Sequence, residues 1–123
     1  MTGELTLEQW LESTAERRAE LEAYARSPLP DSPEGRHQDL DAAIQSADDA
    51  GRLLADCESY LSQAEAQAVF VAREKHEDLT ADERKKVVKA ETRHLRRLWD
   101  GLSVTHQSIK NRIYGNMNAN RSR

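Results

Sequence analysis

This chain of 123 residues has little of what usually carries covalent or metal chemistry. Its single cysteine, Cys57, excludes an intramolecular disulfide and a thiolate metal cluster. Its five glycines are dispersed, so no glycine-rich loop is available to cradle a phosphate. Aromatic residues make up only 5%, which leaves a core of aliphatic and small side chains. No run of eighteen apolar residues occurs, so no membrane-spanning helix is expected. The start, Met1-Thr2-Gly3-Glu4-Leu5, shows no basic segment ahead of an apolar stretch, so export is not expected and the chain reads as cytoplasmic. All three prolines fall in Ser27–Gly35, which leaves everything outside that stretch free to be helical.

What is present is charge. Charged residues are 33% of the chain, against 37% apolar, a balance suited to long solvated helices with a thin core. The net charge of −4 hides a division along the chain. Residues 1 to 83 hold 20 acids and 7 Lys or Arg (−13), and residues 84 to 123 hold 2 acids and 11 (+9). Opposite poles of this kind suit binding to an anionic surface or to other copies of the chain.

The apolar periodicity predicts a single all-α domain built as a long antiparallel helical hairpin, coiled-coil-like, with a shorter N-terminal helix. Helix one is expected over residues 7–26, opening on a capping box of Thr6 and Gln9 and presenting Leu7, Trp10, Leu11, Thr14, Leu21 and Ala25 on one face. A Pro-rich linker follows over 27–35, then the hairpin over about 36–114 and a basic tail over 115–123. In helix two, Leu40, Ile44, Ala47, Gly51, Leu54, Leu61, Ala68 and Ala72 alternate steps of four and three once Glu58 and Glu65 are set at the two remaining seam positions, with Cys57, Ala64 and Val71 flanking them. Gly51 reads as a point of close contact. Leu79-Thr80-Ala81-Asp82-Glu83 is a second capping box and the hairpin tip. Helix three then runs without a break to Tyr114, with Gly115 as its stop. A turn there sets Leu61 against Leu98, Leu54 against Thr105 and Gly51 against Ser108. Two facing helices cannot hide a full apolar stripe, so a homodimer or higher oligomer is expected.

The candidate binding site is the basic face of helix three. Lys85, Lys86, Lys89, Arg93, Arg96 and Arg97 fall opposite the stripe of Val88, Leu95, Leu98 and Leu102, with no acid interleaved. A face selected only for solubility normally mixes signs. Such a row suits phosphates or the acidic surface of a nucleic-acid-handling protein, with Lys110, Arg112, Arg121, Arg123 and Tyr114 as extensions. Two other readings compete. One is a solvated face with no ligand. The other is self-assembly as a scaffold, in which Glu8, Glu12, Glu16, Glu20, Asp48, Asp49 and Asp56 meet the cations of a neighbouring copy.

A metal reading rests on Glu91-Thr92-Arg93-His94, a Glu-x-x-His spacing of the kind that ferritin-like proteins pair with a glutamate on a facing helix, here Glu65. With 13 Glu and 4 His the spacing arises readily by chance, and a His94–Glu65 ion pair is the plainer alternative. No cofactor is expected. Cys57 lies between Asp56 and Glu58, which disfavour a thiolate, and His37, His76 and His106 are scattered, so a non-enzymatic role is expected. Trp10 and Trp99 read as packing anchors.

The run Leu79-Thr80-Ala81-Asp82-Glu83-Arg84-Lys85-Lys86, the segment Leu95-Arg96-Arg97-Leu98-Trp99-Asp100-Gly101-Leu102 and the ending Ser108-Ile109-Lys110-Asn111-Arg112-Ile113 resemble small helical-hairpin accessory proteins of bacteriophages. The resemblance covers about half the chain and carries over no site residues. It implies an accessory factor or an anti-CRISPR-like inhibitor, acting in the host cytoplasm on a host defence nuclease or nucleoprotein.

Overall fold

The computed structural model describes residues 5–75 and 77–121. Among these the protein is all α, without strands, and has four helices: α1 (Leu7–Arg26), α2 (Pro33–Lys75), α3 (Ala81–Glu91) and α4 (Arg93–Arg121). None of them is long and apolar enough to cross a membrane. The chain forms two compact units, one of residues 5–54 with 102–121 and one of residues 55–101. His76, Arg123 and the side chain of Arg121 lie outside the described residues.

In the first unit, α1 opens on its capping box: Thr6 Oγ1 accepts from the Gln9 amide at 3.2 Å, and Gln9 Oε1 accepts from the Thr6 amide at 3.0 Å. Trp10 and Leu21 are buried, with Leu7, Leu11, Thr14 and Ala25 half-buried along the same stripe. Arg18, which interrupts the stripe, runs back along its own helix to the Leu11 carbonyl at 2.8 Å and lies over the Trp10 ring. α1 is held to α2 by Arg17, whose Nε donates to Asp49 at 3.1 Å.

The centre of this unit is a buried ion pair. The side chains of Arg112 and Asp39 are 7% and 9% exposed, with Arg112 Nε donating to Asp39 Oδ2 at 2.7 Å and Nη2 to Oδ1 at 3.0 Å. The remaining guanidinium hydrogens go to the carbonyls of Tyr24 (3.4 Å), Ser27 (2.6 Å) and Pro28 (3.2 Å). The carbonyls of Ser27 and Pro28, in the chain leaving α1, gain a donor in this way, whereas that of Tyr24 also accepts from the Ser27 amide and hydroxyl. Asp39 also accepts from the Tyr24 hydroxyl and from Asn116 Nδ2, each at 2.7 Å, and the guanidinium stacks 4.4 Å from the Tyr24 ring centroid. Burial pushes the Asp39 carboxyl upward, but the hydrogen bonds from Arg112, Asn116 and Tyr24 outweigh it and hold its pKa below the ordinary value. Burial first, and then the bond to Asp39, push the Tyr24 hydroxyl up to about 12.

Several boundaries differ from the sequence expectation. α2 begins at Pro33 and not near 36. Proline is tolerated in the first turn, where its missing N–H would have no partner, and Ser32 Oγ caps the new end by accepting from the Gly35 amide at 3.0 Å. Gly115 does not stop the last helix. It stays out of the left-handed region and admits Leu29, whose Cδ1 lies 3.4 Å from where a β-carbon would stand. The cost of a mid-helix glycine, about 1 kcal/mol, is offset by Asn116, which is fully buried and bonded to Asp39 rather than frayed.

Over residues 43–57 the buried line of α2 is also one position away from the expected one, whereas Ala72, further along, is buried as expected. Ala43, Ala50 and Cys57 are completely buried at intervals of seven, whereas Ile44 is 51% exposed. Alanine at these positions lets neighbouring backbones approach, which the larger isoleucine would prevent. Gly51 is a close-contact point, but its neighbour is His106 and not Ser108, with the imidazole Nε2 3.3 Å from the position of a β-carbon. Burial, and then Lys110, hold the His106 pKa below its usual value.

In the second unit, the expected single helix is two. Thr92, 2% exposed, takes φ −102° and ψ 6° between α3 and α4. Its hydroxyl donates to the Val88 carbonyl at 2.9 Å, and a buried threonine bonded back in this way bends a helix. Leu95 and Cys57 pack just beyond the bend, the thiol directed at the Leu95 carbonyl.

Removing either side of the buried pair, by Arg112→Met or Asp39→Leu, strands the other charge and should lower stability by about 3–5 kcal/mol, read from the urea midpoint. The Tyr24 pKa is raised on folding, so the stability it contributes is complete below pH 10 and is lost as pH rises towards 12. Tyr24→Phe should flatten the stability–pH curve in that interval while lowering the plateau below it.

Candidate functional site

The second unit is thinly packed. α3 opens on the capping box of Thr80 and Glu83, whose reciprocal bonds are both 3.2 Å, and it buries none of its residues completely. α2 offers it a row of small side chains, of which only Ala72 is fully covered. A groove remains on either side of α3.

One groove, of about 370 Å³, has a floor of Val69, Ala72, Ala81 and Val88. Its rim is cationic: Arg73 from α2, Arg84, Lys85 and Lys89 from α3, and Arg96 from α4. Arg84 Nη2 reaches the Glu77 carbonyl at 3.3 Å, while its Nε is buried with no acceptor. The other groove, of about 390 Å³, is floored by Ala64, Ala68, Val71 and Val87 and carries the opposed charges of Lys75 and Glu91. Phe70 stands exposed on the adjoining surface of α2, and Val69 stays partly open within the first groove.

The six cations read from the sequence fall three and three on either side of the Thr92 bend. All six are exposed. Lys85, Lys89 and Arg96 line the first groove. Lys86, Arg93 and Arg97 are exposed outside it, and with Lys89 they span residues 86 to 97, a rise of roughly 16 Å at about 1.5 Å per residue. Among the described residues, Lys85, Lys86, Lys89, Arg93 and Arg97 have no acidic partner. Arg96 does: its Nη2 is 2.8 Å from Glu65 Oε1. The absence of acids along the helix itself did not reveal this pair, because the partner comes from α2.

That contact also corrects the metal reading. Glu65 is engaged by Arg96 and not by His94, and Glu91 faces the second groove. Both Glu91 and His94 are exposed. Among the described residues no three His, Cys, Asp or Glu side chains are grouped to hold a metal ion. The Glu-x-x-His spacing straddles Thr92, where α3 ends and α4 begins, so its two residues do not share one helix. Trp99 is half-buried, with its indole Nε1 enclosed and without an acceptor.

Comparisons with protein-family models, with curated proteins and with solved structures return no match.

Because Glu65 masks one cation through an exposed pair, Glu65→Gln should change stability by less than about 1 kcal/mol. It should nevertheless move elution from a phosphocellulose or heparin column to higher salt, since Arg96 joins the free row.

Proposed function

We propose that the protein is a non-enzymatic interaction protein that binds phosphate-rich partners, nucleic acid or a nucleoprotein, through the cations of α3 and the start of α4. The observation carrying this reading is the row of Lys86, Lys89, Arg93 and Arg97, exposed and without acidic partners among the described residues. Unpaired cations at helical spacing gain most from an anion that repeats along a line and releases counterions on binding. Bacteriophage accessory factors and inhibitors of host nucleases are the setting that the sequence resemblance suggests, with the host cytoplasm as location.

We also read α2 against α3 and α4 as an antiparallel, coiled-coil-like hairpin. The supports are the seven-residue spacing of Ala43, Ala50 and Cys57 and of Leu95, Leu102, Ile109 and Asn116, together with the pairings of Asp39 with Arg112 and Gly51 with His106. A second functional reading, a self-assembling scaffold, is favoured by the exposed carboxylates Glu8, Glu12 and Glu16 on α1, which offer the opposite charge at the same four-residue spacing.

Fluorescence anisotropy with labelled single- and double-stranded oligonucleotides tests the first reading. About four phosphate contacts predict a slope of log affinity against log salt between roughly −3 and −4 on duplex. The double charge reversal Lys89→Glu and Arg93→Glu should weaken binding by about two orders of magnitude with the helical circular dichroism unchanged. A titration that the reversal leaves unaltered sinks the reading.

A further inference from the structure

The first groove has a feature that phosphate binding does not use. Phosphates gain nothing from a floor of valine and alanine, so an occupant that fits it carries an apolar side chain flanked by negative charge. Such a group is present on the chain itself. Ile44 projects from the first unit, 51% exposed, although the α2 periodicity would have placed it in the core. Asp41 lies three residues before it and Asp48 four residues after, on the same face and both exposed. Along the helix these carboxylates bracket the isoleucine by about 4.5 and 6 Å, close to the roughly 6 Å rise between Lys85 and Lys89.

We propose that the groove is a docking site for a second copy of this chain, which seats Ile44 against Val69 and Val88 and sets Asp41 and Asp48 against Arg73, Lys85 and Lys89. Charge complementarity selects this occupant. The groove has five cations on its rim and one neutralising carboxylate, Glu65. The knob sits in the acidic part of a chain whose first 83 residues carry −13. Asp48 pairs with Arg52 at 3.0 Å, but that contact is exposed and within one helix, so exchanging it for a rim cation costs little. Knob and groove are different surfaces, so the contact is heterologous and each copy offers one of each. The contact shares Lys89 with the phosphate-binding row but rests on the exposed Ile44 and the apolar floor, which phosphate does not use.

Sedimentation velocity on the full chain, across concentration and salt, tests it. The wild-type mass should rise with concentration and fall as salt is added. Ile44→Asp removes the knob and Val69→Asp spoils the groove, and both positions are solvent-exposed, so circular dichroism should remain that of the wild type. Each variant alone should self-associate about a hundredfold more weakly. Mixed, they should form one-to-one dimers that grow no further, because only one good knob and one good groove remain. A wild type that stays monomeric, a variant that assembles like the wild type, or a mixture that gives no dimer overturns the proposal, including the case where a different protein fills the groove. At chain concentrations too low for self-association, oligonucleotide affinity should be unchanged by Ile44→Asp, so the two readings fail in different measurements.

Discussion

The first unit depends on the pairing of Arg112 with Asp39. Burying two charges away from water costs several kcal/mol per ion and is tolerated only where every donor and acceptor is matched. Here the guanidinium donates to a carboxylate and to three backbone carbonyls, and the carboxylate in turn receives Tyr24 and Asn116. The arrangement fixes three things at once. It satisfies the end of α1, sets the direction of the chain after it, and places α4 at one register on α2. An aliphatic contact would tolerate sliding by a turn, whereas a five-donor fork would not.

The second unit is built on the opposite plan. Its α2 segment presents alanines, its α3 buries nothing completely, and the valines between them stay half-covered. Small residues bring backbones close but leave little volume to fill the flanks, and grooves with charged rims are the result. The same economy gives this unit its exposed cations. The row of exposed cations without acidic partners lies on the thinly packed unit, while the first unit spends Arg17 and Arg112 on its own architecture.

Much of the helical framework was legible in the sequence. The capping boxes at Thr6 and Thr80 are local, involving residues three apart, and local hydrogen bonding is what a sequence reports best. The stripe of Leu95, Leu102 and Ile109 follows from periodicity in the same way. What was hidden depends on partners distant in the chain. Glycine and asparagine at 115 and 116 look like a helix end until Asp39 supplies the bond that carries the helix past them. Arg112 looks like one more surface cation until the orphan carbonyls after α1 are known to be near it. The one-residue offset of the α2 seam comes from alanines whose burial no hydropathy pattern distinguishes from a polar flank. Within the basic face, five cations are exposed and without acidic partners among the described residues, and the sixth is masked by a glutamate that only tertiary packing brings near.

Asp39 and Arg112 stand 73 residues apart in the chain, whereas the second unit is one uninterrupted segment. Loop-closure entropy makes contacts of that range slow to form, and a chain emerging from the ribosome makes near contacts first. The order of assembly is therefore written into the placement of one ion pair. The cationic unit can gather while its own helices are still appearing, but Asp39 must wait for Arg112 and Asn116 to be made. During that interval the Asp39 carboxylate and the carbonyls of Ser27 and Pro28 stand open to water. The buried pair, which does nothing visible in the finished fold except hold it, is the event that ends that exposure.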